Sequence, residues 1–278
     1  MSRREVVDLL ATHGIRPSRA LGQNFVVDPN TVRRIARLAS VGAGDRVVEI
    51  GAGLGALTLA LAATGASVTA VEMDRKLVPL LRGIVEPHGV TVIEGDALRL
   101  DWNDIVGGAA GEWVLVANLP YNVATPLVAD LLDDVPSIVR MLVMVQREVA
   151  DRLVAQAGDA AYGAVSVKVA YWATARIVGR VPATVFYPRP RVESALVAIE
   201  RRATPAVDPD DVAPDVLFSI VRAGFGQRRK MLRRSLAGRV SDECFSLAGV
   251  RPEARAEELD VAAWGRLARC SASEPSPS

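Results

Sequence analysis

At 278 residues the chain is long enough for one large domain and a small one. Half of its residues are hydrophobic and 23% are charged, so a sizeable core can form. A net charge of +1 excludes a global field that would draw in nucleic acid, so any such signal must be local. Cys244 and Cys270 have neither metal-ligand spacing nor a disulfide framework, which points to a reducing compartment. The apolar pairs Val6-Val7 and Leu9-Leu10 are interrupted by Asp8, so no secretory leader is expected, and no apolar run reaches membrane-spanning length. A cytoplasmic protein is the expectation.

Residues 1–20 carry an amphipathic start and then a basic turn-rich piece, Arg16-Pro17-Ser18-Arg19. Asp28 is placed to cap a helix that opens on Pro29 and runs to about Leu38. From there strands and helices alternate. Arg46–Ile50, Ser67–Val71, Val90–Glu94 and Val114–Ala117 read as strands. Helices are expected over Leu54–Ala63, closed by Gly65, then from about Arg75, and over about Thr125–Leu132. Ile138–Val145 has the apolar character of a central parallel strand. The alternation predicts an α/β fold, a doubly wound parallel sheet with helices on both faces.

Gln146–Ala157 and Tyr162–Trp172 read as helices, and Ala175–Val181 and Ala195–Ile199 as two further strands. Between these strands lies a rigid loop, Pro182 to Pro190, carrying Phe186 and Tyr187. Ala203–Pro214, with three prolines and three aspartates, has the composition of a linker. Val216–Leu267 contains helix-like segments alone, and the serine- and proline-rich tail from Cys270 is expected to be disordered. The division is therefore 1–203 for the α/β domain with an N-terminal segment 1–40, 204–214 for a linker, 215–268 for a small all-helical domain and 269–278 for the tail. No internal repeat is present.

The chemistry collects at the strand ends. Glu49-Ile50-Gly51-Ala52-Gly53-Leu54-Gly55-Ala56 joins a strand to a helix, and its glycines let a ligand approach the main chain. Gly51, Gly53 and Ala56 also fit the dinucleotide pattern, so this string alone does not separate a nicotinamide cofactor from another adenine nucleoside. Glu72 ends the second strand, where its carboxylate can accept from two ribose hydroxyls. Asp96, followed by Ala97, ends the third and can accept from an adenine amine. The fourth strand delivers Asn118-Leu119-Pro120-Tyr121: an amide, a rigid carbonyl and an aromatic face at one point. That geometry suits a planar base with an exocyclic amine, its hydrogens going to the Asn118 side-chain oxygen and the Leu119 carbonyl while the ring stacks on Tyr121. A dehydrogenase would want a general acid nearby; His13 and His88 lie in expected turns far from these strand ends. The combination is similar to S-adenosylmethionine-dependent methyltransferases of the Rossmann-like class I type.

Four motifs in order sharpen the likeness: Leu21-Gly22-Gln23-Asn24-Phe25-Val26, Glu49 to Gly55, Asn118 to Pro126, and Phe186-Tyr187-Pro188-Arg189-Pro190-Arg191-Val192-Glu193-Ser194-Ala195. Together they resemble the rRNA adenine N6,N6-dimethyltransferases, and within them the KsgA/RsmA branch, over about Gly14 to Leu267. Val26 stands where that family usually has leucine. The resemblance implies S-adenosyl-L-methionine held by Asn24, Val26, Gly51, Gly53, Glu72, Asp96, Ala97 and Asn118. It implies a catalytic neighbourhood of Asn118, Leu119, Tyr121 and Phe186, with Tyr121 and Phe186 sandwiching an extruded adenine. The substrate implied is two adjacent adenosines in a hairpin near the 3′ end of 16S rRNA, within an immature 30S subunit, and the protein is expected to be a monomer.

For the RNA, seven basic residues and no acid fall between Arg222 and Arg239. Met231, Leu232 and Leu236 can face a core while Arg222, Arg228, Arg229, Lys230, Arg233 and Arg234 stay outside as a phosphate-binding patch. Arg147, after the fifth strand, is a further candidate, and Arg3, Arg4, Arg16 and Arg19 can add to the patch. Two other readings share these features: a resistance-type dimethyltransferase of large-subunit rRNA, and a ribosome-assembly factor whose catalysis is secondary.

Overall fold

The valine-rich strand runs are apolar on both faces with few charges, so they are stable where helices cover both sides of the sheet. A computed structural model describes residues 1–18, 20–107, 111–120 and 123–272. The chain forms two units, one of residues 1–150 and 176–200, the other of 151–175 and 201–278.

The first unit opens with α1 (Arg3–Thr12), β1 (Phe25–Val26) and α2 (Pro29–Ala39), the last capped by Asp28, whose carboxylate accepts from the Asn30 and Thr31 backbone N–H groups. Then follow β2 (Arg46–Ile50), α3 (Ala56–Ala62), β3 (Ser67–Glu72), α4 (Val78–Val85), β4 (Thr91–Glu94), α5 (Trp102–Val106), β5 (Trp113–Asn118), α6 (Ala124–Asp134) and β6 (Ile138–Gln146). The helix expected from Arg75 begins three residues later, because Asp74 first closes a turn onto Lys76 and Leu77. Helix α7 (Arg147–Val154) and α8 (Ala164–Trp172) lead to β7 (Ala173–Val181), β8 (Phe186–Tyr187) and β9 (Ser194–Arg201).

Seven strands form one sheet in the order β4-β3-β2-β5-β6-β9-β7. The first five are parallel neighbours, but β6 pairs antiparallel with β9, so the sheet is mixed where a parallel one was expected. The strand order reverses between β2 and β5, which opens a crevice at their C-terminal ends. A separate two-stranded ribbon pairs Phe25 with Tyr187 and Val26 with Phe186.

The second unit contains α8 and four helices after β9: α9 (Pro214–Gly226), α10 (Leu232–Ser235), α11 (Asp242–Leu247) and α12 (Val261–Ala272). Its core gathers Tyr171, Phe218, Phe245 and Trp264. Residues 151–175, expected in the α/β domain, pack here instead. The expected linker 204–214 is part of this core as well: Ala206 N–H donates to the Tyr171 carbonyl at 2.8 Å, and Val212 is buried. Cys244 on α11 and Cys270 on α12 form a disulfide, which replaces the expectation of two unconnected thiols. Helix α12 carries order through Ala272, into the expected tail, whose residues 273–278 lie outside the described ones. No helix of the described residues is long and apolar enough to cross a membrane.

Helix α9 approaches α12 through Gly224, where an added Cβ would stand 2.5 Å from Cη2 of the fully buried Trp264 ring. Alanine favours helix over glycine by about 1 kcal/mol, whereas forcing a methyl into a packed core costs about 1–3 kcal/mol. Because the indole has no room to retreat, Gly224→Ala should destabilise the helical unit, lowering its midpoint in urea; an unchanged or raised midpoint would contradict this packing.

Candidate active site

A cavity of about 290 Å3 opens at the crevice between β2 and β5. Asn24, Val26, Gly51, Gly53, Glu72, Asp96, Ala97 and Asn118, separated by as many as 94 residues in sequence, all line it. Gly51 has φ +73° and Gly53 φ +59°, conformations that an L side chain rarely adopts, and a Cβ on Gly53 would stand 3.1 Å from the Phe25 ring.

Glu72 ends β3 with both carboxylate oxygens engaged. Gly53 N–H donates to Oε2 and Asp74 N–H to Oε1, each at 2.8 Å. Burial pushes this carboxyl up, against the pull of these two hydrogen bonds. Each oxygen keeps a second acceptor site for a ligand hydroxyl. Asp96 is half-exposed; its Oδ1 accepts from Leu98 N–H at 3.1 Å, and its Oδ2 lies 3.7 Å from Arg99.

The tip of β5 is held by the N-terminal segment. Asn118 Nδ2 donates to the Asn24 carbonyl at 3.0 Å, and Asn24 Nδ2 donates to the Gly22 carbonyl at 3.0 Å. Gly22 itself sits so close to Pro120 that a Cβ would come within 2.7 Å of the proline Cβ. The Asn118 amide is thereby oriented with its nitrogen on Asn24, leaving Oδ1 as an acceptor. Leu119 buries its side chain and donates its N–H to the Met144 carbonyl at 3.0 Å, which ties the motif to β6.

Three expectations change. Phe186 is 1% exposed and belongs to the main core of its unit, because pairing of β8 with β1 turns its ring inward; it presents no open stacking face. Met231 is 41% exposed rather than core, since α9 ends at Gly226 and the chain crosses a turn before α10. In the basic run, Arg228 lies 3.6 Å from Glu257 and donates to the Ala160 carbonyl, while Arg233 lies 3.3 Å from Glu253, so two of the expected phosphate ligands already have acidic neighbours. Arg222, Arg229, Lys230 and Arg234 are exposed, and Arg147 is half-buried at the start of α7. Tyr121 and Arg19 lie outside the described residues.

Sequence reasoning missed two side chains. Gln23 bridges Asp74, at 2.7 Å from Nε2, and the Ser18 N–H, at 2.7 Å from Oε1. Glu49 lines the cavity at 2% exposure, and its Oε2 has no hydrogen-bond partner. Burial, followed by the nearby Glu72 carboxylate, pushes Glu49 up to about 8, with the Thr58 hydroxyl opposing the shift. Its signal was present, an acid two residues before Gly51 on a strand expected to be apolar.

The comparisons with known proteins agree with this geometry. A family model described as ribosomal RNA adenine dimethylase matches residues 15–272. The chain belongs to this family. It is 46% identical over 275 residues to a ribosomal RNA small subunit methyltransferase A of Thermobifida fusca, covering 95% of this chain and 93% of that one. It is 48% identical over 269 residues to the protein of the same name from Cutibacterium acnes, covering 92% and 88%. Among solved structures it is similar to the 23S rRNA methyltransferase ErmE, with TM-score 0.68, 27% identity, and coverage of 89% of this chain and 99% of that one. A dimethyladenosine transferase from Plasmodium falciparum shares the fold, with TM-score 0.70, 23% identity, and coverage of 86% and 94%.

As a member of the rRNA adenine dimethylase family the chain is a class I methyltransferase that uses S-adenosyl-L-methionine. The cavity fits that group: Glu72, held at the end of β3, keeps acceptor sites for ligand hydroxyls, and the glycine turns admit a ligand against the main chain.

Glu49 gives a test of this wall that needs no substrate. Folded, the carboxyl keeps its proton to about pH 8, whereas the unperturbed group ionises near 4.5, so the folded state binds more protons in between. Its contribution to stability is therefore greatest at low pH and declines as pH rises from about 4.5 to about 8. Glu49→Gln should be the more stable protein at pH 8, with the difference shrinking toward pH 5, as read by urea unfolding without ligand. A difference independent of pH would show that Glu49 is not held neutral.

Proposed function

We propose that this methyltransferase converts N6 of each of two adjacent adenosines in a hairpin near the 3′ end of small-subunit rRNA to the dimethyl form. It acts as a cytoplasmic monomer on immature 30S particles. The observation that carries the reading is the bond from Asn118 Nδ2 to the Asn24 carbonyl. The names of the relatives at 46% and 48% identity support the small-subunit target over the large-subunit one of the 27% identical neighbour.

The bound cofactor supplies an electrophilic methyl group on a sulfonium. The protein positions the base. An adenine N6 lone pair is delocalised into the ring and is a weak nucleophile. Asn118 Oδ1 and the Leu119 carbonyl accept the two amine hydrogens and favour the more tetrahedral nitrogen of the transition state, so that electrostatic preorganisation and alignment do the work. Tyr121 offers the stacking face, a contact worth about 1–3 kcal/mol. The amine becomes acidic once methylated, and its proton leaves to water. Of the residues lining the cavity, Glu72 would accept from the ribose hydroxyls and Asp96 from the adenine amine, and Gly51, Gly53 and Ala97 would hold the nucleoside through their main chain.

Asn118→Ala should lower kcat on 30S-type particles by roughly 100-fold or more, while leaving particle affinity within about twofold. Wild-type labelling confined to large-subunit rRNA would reject the assignment, and equal loss of binding and catalysis in the variant would reject the role of Asn118.

On the second unit, exposed Arg229, Lys230 and Arg234 are assigned to phosphate, where they give affinity without reading bases. Replacing all three by alanine should weaken RNA binding and flatten its dependence on log salt by about 3 units at most, with kcat at saturating RNA preserved. An unchanged salt slope would remove them from the interface.

A further inference from the structure

Helix α2 carries Arg33, Arg34 and Arg37, all exposed, beside the edge strand β7 of the sheet. Arg34 Nη1 donates to the Arg180 carbonyl on β7 at 3.1 Å. Gly179 makes this approach feasible, because a Cβ there would strike the Arg34 guanidinium. Helix α2 thus presents three exposed arginines, and Arg34 joins them to the main chain of Arg180, itself exposed on the sheet edge.

The acids nearby are otherwise engaged. Asp28 caps α2 through Asn30 and Thr31, Asp45 faces Arg140 at 4.0 Å, and Glu200 faces Arg176 at 3.8 Å. Arg33 donates to the Asn30 side-chain oxygen at 2.7 Å. Among the described residues no carboxylate pairs with Arg33, Arg34, Arg37 or Arg180. Asp28 lies near enough that the Arg33 charge helps to lower its carboxyl, but the arginines outnumber it, so the surface carries excess positive charge in a protein whose net charge is +1.

Its position gives the charge a use. Chain leaving β7 reaches β8 within five residues, and β8 pairs with β1, whose Phe25 and Val26 line the cavity. Helix α2 starts three residues after β1, and Val27 N–H donates to the Val185 carbonyl at 2.8 Å. The arginine ridge therefore runs back from the rim of the cavity on the unit that holds the cofactor site. A base delivered into the cavity brings the phosphates of its own strand to that rim.

We propose that Arg33, Arg34, Arg37 and Arg180 form a second phosphate-binding surface, on the catalytic unit itself, that grips the RNA strand flanking the target adenosine. This rests on the rRNA reading above. Guanidinium groups suit the task because their forked donors match phosphate oxygens, two bonds at a time. An acidic protein could meet the same charge, but the continuity with the cavity rim favours the nucleic acid that must enter it.

The test replaces Arg33, Arg37 and Arg180 by glutamine and retains Arg34, whose bond joins helix to strand. Binding to a naked RNA hairpin from the 3′ end of the small-subunit rRNA, and to 30S-type particles, is measured across a salt series. The expected result is about tenfold or greater loss of affinity for the hairpin at low salt, with a salt slope shallower by about 2 to 3 units. Affinity for S-adenosylmethionine should stay at the wild-type value, which also reports an intact fold. The triple lysine variant should retain the wild-type slope. A slope in the glutamine variant equal to wild type overturns the proposal, as does weakened binding to particles with hairpin binding unchanged, the signature of a protein partner. If wild-type enzyme methylates no small-subunit rRNA, the functional reading fails by itself, since the ridge is judged by salt slope alone.

Discussion

The hydrogen bond from Asn118 to the Asn24 carbonyl sets the direction of one amide, and the proposed chemistry depends on that direction. A terminal amide offers an acceptor at one end and donors at the other. With Nδ2 engaged on Asn24, Oδ1 remains as the acceptor that the proposed mechanism sets against an incoming amine. Rotated by half a turn, the same side chain would set donor against donor and repel the group it has to hold. The bond also closes the segment from Gly22 to Asn24 over the end of β5, a fit that demands glycine against Pro120. One contact thus completes the cavity wall and orients its reactive edge.

Two buried carboxyls form another part of the cavity lining. Glu49 and Glu72 are both buried; burial raises each carboxyl, and the Glu72 charge further disfavours ionisation of Glu49. Glu72 is partly relieved by two backbone N–H groups, whereas Oε2 of Glu49 has none. A ligand entering the cavity meets acceptors already fixed in place, and a hydrogen bond to Oε2 of Glu49 satisfies an atom that is costly to leave alone in a low-dielectric site. The tight turn at Gly51 and Gly53 places main chain where a side chain would otherwise fill that space.

The strand ends were legible in the sequence because each is a local event: an apolar run followed by a glycine turn, an acid or the Asn118 motif. All eight residues assigned to the cofactor line one cavity, and the strand spans differ by few residues. What escaped depends on distant pairing. Nothing within Ala195–Ile199 tells that it will run antiparallel to β6, since buried strands of either direction read as the same apolar run. The inward turn of Phe186 follows from β8 pairing with β1, more than 150 residues earlier in the chain. Composition marked 204–214 as a linker, yet Val207 fills the space over Gly265 that a side chain would occupy. The disulfide joins cysteines 26 residues apart on neighbouring helices, which spacing alone does not reveal.

Charge was the least legible property, for a reason that belongs to geometry. A count of 33 basic and 32 acidic residues describes a neutral protein, and a run of cations describes a patch, but neither tells which charges are compensated. In the basic run, Arg228 and Arg233 have glutamates within 4 Å, so their fields are partly cancelled before any RNA arrives. On α2, by contrast, three arginines scattered among apolar residues gave no run at all, and Arg180 lies over 140 residues away. Folding brings Arg34 onto the Arg180 main chain and engages the neighbouring acids largely in a helix cap and with other arginines. A phosphate chain responds to the excess that remains after such pairing, within about one Debye length of each group. The electrostatic footprint of this enzyme is therefore a product of its tertiary structure, and a near-zero net charge is compatible with strong local attraction for RNA.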